Sequence, residues 1–179
     1  PRYHPNSGSD SSADPSYTEY INKFLDAGII VHRDDDKTEG NRAIADVEAD
    51  IDSYKSLYPQ IEGVFFDEMA ATTGKESFYP TSSAYARSQG FKVTNGNPGQ
   101  NIPKSYADTV SIIFISETEK TIDLSISSSW PTSNTAKLAV MVHTEPSLPK
   151  DWIVDACKVT DWLYVTDDVM PNPYGIPRS

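Results

Sequence analysis

A single cysteine, Cys157, excludes a disulfide within the chain, and its apolar helical neighbours Ile153, Val154 and Ala156 predict a buried, unreactive thiol. Histidine is nearly as scarce. His4, His32 and His143 lack the short spacings of a zinc site, so no metal and no cofactor is expected. Cations are few: 15 Lys and Arg against 26 Asp and Glu leave a net charge of −11. A phosphate-binding surface needs clustered Lys and Arg, which argues against nucleic acid or an anionic membrane as partner and suits a neutral or cationic one. No apolar run reaches membrane-spanning length, and no leader pattern is read. Asp34, Asp35 and Asp36 lack the alternating ligands and distant closing Glu of an EF-hand, so residues 33–40 are expected to form a solvated loop.

What the chain does have is an alternation of helical and strand patterns. Its 179 residues are enough for one sizeable core, and a single domain is expected. Residues 1–14 read as loop, or in Tyr3-His4-Pro5-Asn6 as the end of a strand that began earlier, the first residue being Pro1 rather than Met. Asp14-Pro15 is an N-cap followed by proline at the first helical position, and Gly28 a stop. A second helix is marked by Ile44, Val47, Ile51, Tyr54 and Tyr58 at helical spacing, and ends at Pro59. Weaker helices are read at 81–89 and 148–157. Between them lie apolar runs at 28–32, 61–66, 91–95, 111–117, 137–143 and 162–168, which read as buried parallel strands.

Five of these strands are read as ending in polar residues able to do chemistry: His32, Asp67-Glu68, Asn95 and Asn97, His143, and Asp167-Asp168. Clustering at successive C-terminal strand ends predicts an α/β fold of the (β/α)8 TIM-barrel type, with the N-terminal strand or strands missing. For Asp67 and Glu68 the competing reading is a helix cap beside a solvated acid, and for His143 a bond to neighbouring backbone.

Several of these residues form a pattern in register: Ala45 to Ile51, Gly63-Val64-Phe65-Phe66-Asp67-Glu68-Met69, Asn97-Pro98-Gly99, Tyr106-Ala107-Asp108, Val142-His143, Tyr164 to Asp168 and Pro171-Asn172-Pro173-Tyr174. The pattern resembles the spherulation-specific family 4, or spherulin 4-like, proteins, which are similar to glycoside hydrolase family 135. The resemblance implies a secreted or cell-surface barrel that cuts α-1,4-linked galactosamine or N-acetylgalactosamine exopolysaccharide. It departs at two places. The acidic stretch 33–39 replaces a Tyr-rich strand end, and Phe114 is followed by Ile115 where the family carries a Glu, the nearest acid being Glu117.

Glycoside hydrolysis uses one carboxylic acid to protonate the leaving oxygen and a second carboxylate as nucleophile or base. The expected catalytic set is Glu68 as acid, its pKa raised by aromatic surroundings, with Asp67 as nucleophile or stabiliser and Glu117 as the alternative partner. Residues two apart on a strand share a face, so Glu117 reaches the site only if its strand is extended or bulged. Asn97, His143, Asp167, Asp168 and His32 are the expected substrate-binding residues. The partner implied is a polysaccharide, cationic amino-sugar polymers included, with self-association left open. The rival expectation is a barrel without catalysis, serving as a carbohydrate-binding or structural component of a coat or matrix.

Overall fold

The computed structural model describes residues 12–28, 30–36, 38–119, 137–147 and 149–170. Tyr3 to Asn6, the Ser/Thr-rich segment 123–135 and Pro171 to Tyr174 lie outside the described residues. The chain begins with α1 (Pro15–Asp26), where the Asp14 carboxylate accepts from the Ser16 N–H at 2.7 Å and satisfies one of the orphan donors of the first turn. Gly28, in the left-handed region at φ 75°, closes it. Helix α2 (Ile44–Leu57) buries Val47, Ile51 and Tyr54, the stripe read from the sequence, against the sheet.

Six strands follow one another in space as they do in the chain: β1 (His32–Asp36), β2 (Gly63–Asp67), β3 (Val93–Gly96), β4 (Ile112–Glu119), β5 (Leu138–His143) and β6 (Trp162–Val165). All neighbouring pairs are parallel. The α/β class and sequential parallel order agree with the expectation. Among the described residues, however, the strands form an open sheet and not a closed ring, with β1 paired to β2 alone and β6 to β5 alone. Helix α3 (Phe78–Ser88) begins three residues earlier than the pattern suggested. Phe78 and Tyr79 are buried, and Pro80 sits in the first turn, where its missing N–H costs no helical bond. Helix α4 (Lys150–Ala156) buries Ala156, and Cys157 at its C-cap is exposed rather than buried. The helix turns Ala156 inward, which carries the next residue off the packed face.

The largest correction concerns β1. Its apolar run 28–32 is not the strand, and the stretch expected to be a loop, Arg33 to Asp36, is. Backbone pairing with β2 sets the register, His32 opposite Gly63 and Asp36 opposite Asp67. His32 therefore opens a strand instead of ending one, about 13 Å along the chain from the C-terminal end. A β-carbon on Gly63 would overlap the His32 ring, so glycine is what lets the imidazole lie flat on β2.

Candidate functional site

Side chains alternate between the two faces of a strand, so register fixes which residues meet. On β2, Phe65 and Asp67 share a face. Phe65 pairs with Asn95 on β3, which places Asn95 and Asn97 on that face too. Asn95 pairs with Ile112, so Phe114 joins them. Phe65 and Phe114 reach across β3 and touch, ring centroids 5.3 Å apart. Counting on by twos from Phe114 would reach Ser116 and leave Glu117 on the opposite face. A β-bulge intervenes: Phe114 pairs with Ala139, but Ser116 pairs with Val140, the next residue along. Ile115 is the extra residue, and Glu117, opposite Met141, returns to the face of Phe114.

The consequence is a three-residue cluster at the C-terminal edge. The side-chain N–H₂ of Asn97 donates to Asp67 Oδ1 at 2.9 Å and to Glu117 Oε2 at 2.7 Å. Its orientation is fixed from behind, because Asn97 Oδ1 accepts the Gly99 N–H at 3.1 Å, leaving only the nitrogen to face the acids. The backbone ties the same groups together. Glu117 N–H donates to Gly99 C=O, Asn97 N–H to Phe66 C=O, and Met69 N–H to Asn97 C=O. Two N–H bonds diverging from one amide nitrogen hold the two carboxylate oxygens about 5 Å apart. Beneath them the Phe65 and Phe114 rings give the cluster an apolar floor.

Glu68 is exposed on the rim and has left-handed backbone, φ 47°, which turns it away from the extended line of β2. Its carbonyl accepts the Glu39 N–H at 2.9 Å, joining the loops after β1 and β2. The loop beyond is pinned by two tyrosines. Ala70 N–H donates to the Tyr79 hydroxyl at 2.6 Å, and the Tyr106 hydroxyl donates to Thr72 C=O at 2.6 Å. Burial pushes the Tyr79 phenol up to about 12.

His143, 8% exposed, ends β5 on the same face as Met141 and hence Glu117. Its Nδ1 lies 2.9 Å from the Thr144 hydroxyl. Thr144 is left-handed at φ 58°, a conformation costing a non-glycine residue on the order of 1 kcal/mol or more. Its N–H donates to Asp168 C=O at 2.8 Å, and Glu145 N–H to Thr166 C=O at 3.0 Å, so the exits of β5 and β6 are laced together. Strand β6 stops at Val165, leaving Asp167 exposed and Asp168 half-buried just past the strand end. The structure thus brings Asp67, Asn97 and Glu117 into direct contact, sets Glu68, His143, Asp167 and Asp168 along the same edge, and removes His32 to the other end of β1. Burial lowers the His32 pKa. Sequence reasoning missed Asn97 as the bridge between acids, although Asn-Pro-Gly is a turn signature, and it missed Thr144 and the tyrosine pins. Among the described residues no group of three or more His, Cys, Asp and Glu is arranged to hold a metal, and no helix is long and apolar enough to cross a membrane.

A sequentially ordered parallel sheet, with α-helices in the described connections from β1 to β2, β2 to β3 and β5 to β6 and paired acids at its C-terminal edge, defines an α/β protein of the βα-repeat class. The model of the spherulation-specific family 4 matches residues 3–176, and the chain belongs to that family. It is 39% identical over 115 residues to Spherulin-4 of Physarum polycephalum, a match covering 63% of this chain and 35% of that one. The chain thus spans about a third of the length of the curated relative it matches. Its fold is similar to that of Sph3 from Aspergillus clavatus, solved in complex with GalNAc, with a TM-score of 0.79 at 19% identity, over 96% of this chain and 78% of that one.

Proposed function

We propose that the chain is a glycoside hydrolase acting on a galactosamine or N-acetylgalactosamine polymer, with Asp67 and Glu117 as its working carboxylates and Asn97 holding them in place. The observation that carries this reading is the single amide shared by two acids from different strands. Cleaving a glycosidic bond takes one carboxyl group to protonate the leaving oxygen and one carboxylate to attack or stabilise the anomeric carbon. A separation of about 5 Å suits the double-displacement route, in which the carboxylate attacks the sugar directly, since an inverting pair stands roughly 6.5–9.5 Å apart to admit a water.

Glu68, His143, Asp167 and Asp168 are assigned to sugar contacts along the rim, and His32 has no part in them. The net charge of −11 favours the approach of a partly deacetylated, cationic polymer. Support for the sugar comes from the family resemblance and from the GalNAc held by the similarly folded Sph3. An extracellular or cell-surface location and completion of the sheet into an eight-stranded barrel belong to the same proposal. The bulge at Ile115 bears on the rival reading of an inert barrel, whose main support was the missing acid after Phe114, because it leaves Glu117 on the side of the sheet that carries Asp67 and Asn97.

The test is incubation of the chain with acetylated and deacetylated α-1,4-galactosaminan, reading released oligosaccharides by mass spectrometry. Wild type and Glu68→Gln release products, whereas Asp67→Asn and Glu117→Gln lose at least about a thousandfold in rate. Polymer retained by the wild-type protein without cleavage would instead establish the inert, binding barrel.

A further inference from the structure

Eight described residues have positive φ, and five are glycine, the residue that accepts this conformation without steric cost. The exceptions are Glu39, Glu68 and Thr144, of which only Thr144 is β-branched and so worst suited to it. The backbone bond made there, Thr144 N–H to Asp168 C=O, asks only for the turn, and glycine or asparagine would supply it more readily. What threonine adds is a hydroxyl, and that hydroxyl lies 2.9 Å from His143 Nδ1. His143 is buried on the face of the sheet that carries Asp67, Asn97 and Glu117, and Glu119 is its register partner on β4. Around the turn, Asp168 N–H donates to the Thr166 hydroxyl at 3.1 Å, so the carbonyl that receives Thr144 is itself held.

We infer that Thr144 is a positioning residue: its hydroxyl donates to Nδ1 and holds the neutral His143 imidazole as the Nε2–H tautomer, so that Nε2 is the nitrogen that donates to a sugar oxygen. A hydroxyl can donate or accept, but among the described residues the Thr144 hydroxyl has no acceptor other than Nδ1, so its proton goes to that nitrogen and the ring's own proton to Nε2. The sugar contact rests on the glycosidase reading above, whereas the tautomer assignment does not. A strained threonine beside a buried histidine is thus accounted for by the proton it places, not by the shape of the turn.

The experiment is long-range proton–nitrogen NMR on the ¹⁵N-histidine-labelled chain, for wild type, Thr144→Ser and Thr144→Gly, with melting temperatures and kcat/KM on galactosaminan measured alongside. Wild type and Thr144→Ser show Nε2–H at His143. Thr144→Gly shows a mixture of tautomers, melts no lower than wild type, and loses about tenfold in kcat/KM, the scale of one hydrogen bond. Serine restores most of that loss. A wild-type ring protonated at Nδ1, an unchanged tautomer in Thr144→Gly, or a glycine variant that melts well below wild type would each overturn the inference. Absence of hydrolysis in the wild type would strike the glycosidase reading alone and leave the tautomer comparison to decide this one.

Discussion

Met69 lies so close on Gly96 that a β-carbon there would overlap its sulfur and stand 3.3 Å from Cγ2 of Val110. The absence of a side chain at Gly96 is what lets the residue after Glu68 fold back over β3 and donate its N–H to Asn97 C=O. Gly96→Ala is therefore expected to cost about 1–3 kcal/mol through overpacking. Urea unfolding measures it, and a loss below about 0.5 kcal/mol would show that Met69 moves aside freely.

The separation of the acids makes a stereochemical prediction. If Asp67 and Glu117 work through a covalent glycosyl intermediate, an α-linked substrate first yields the α-anomer. Proton NMR of the earliest product, before mutarotation, distinguishes this from the β-anomer of an inverting enzyme. A β-anomer would mean that a water enters between the acids and that their spacing widens when substrate binds.

Tyr79 offers a pH test of the loop that follows Glu68. A free tyrosine ionises near 10.0, and burial pushes Tyr79 up to about 12. Between those values the unfolded chain gives up its proton first, so it binds fewer protons than the native state and stability falls as pH rises. Tyr79→Phe removes this term and leaves the Ala70 N–H without its acceptor, at a cost of about 1–3 kcal/mol at neutral pH. The stability gap between wild type and variant should narrow from pH 10 upward, by an amount of the order of 2 kcal/mol, in denaturant titrations. A gap independent of pH would show that the phenol is not held in the fold as described.

His32 works in the opposite range. Burial lowers its pKa from the ordinary 6.5, so below that pH the unfolded chain takes up a proton that the folded ring resists. The unfolded state then binds more protons, and the stability present above pH 6.5 is lost as pH falls. His32→Gln should be less sensitive than wild type to acid between pH 6.5 and 5, measured by thermal melting. Its hydrolytic activity should stay within a fewfold of wild type, since His32 lies at the far end of β1 from Asp67.

How much of this could be read from the chain alone depended on what held each element in place. Strands β2 and β5 and helix α2 owe their existence to their own apolar pattern, and all three were legible in the sequence. Strand β1 does not. A strand reading Arg-Asp-Asp-Asp has no hydrophobic periodicity, and among the described residues it is formed by the backbone groups that β2 offers it. The candidate site divides in the same way. Asp67 and Asn97 end apolar strands and stand out, whereas the position of Glu117 is decided by a pairing irregularity between β4 and β5 that no property of Ile115 announces. As neighbours, Asp67 and Glu68 would face opposite sides of an extended strand, and the left-handed turn at Glu68, which leaves its side chain exposed just past the strand end, is a backbone feature that the letters alone do not announce.

The bulge at Ile115 also changes how an acid at this position should be located. Measured along its own strand, Glu117 is three places from Phe114 and on the wrong side of the sheet. Measured from the neighbouring strand, it is the residue opposite Met141, two steps past the partner of Phe114 and on the correct side. The lasting address of the acid is therefore its rung on the ladder with β5. A chain that gains or loses one residue in the bulge keeps its carboxylate on the same rung, while a comparison that counts letters after the phenylalanine records it as lost.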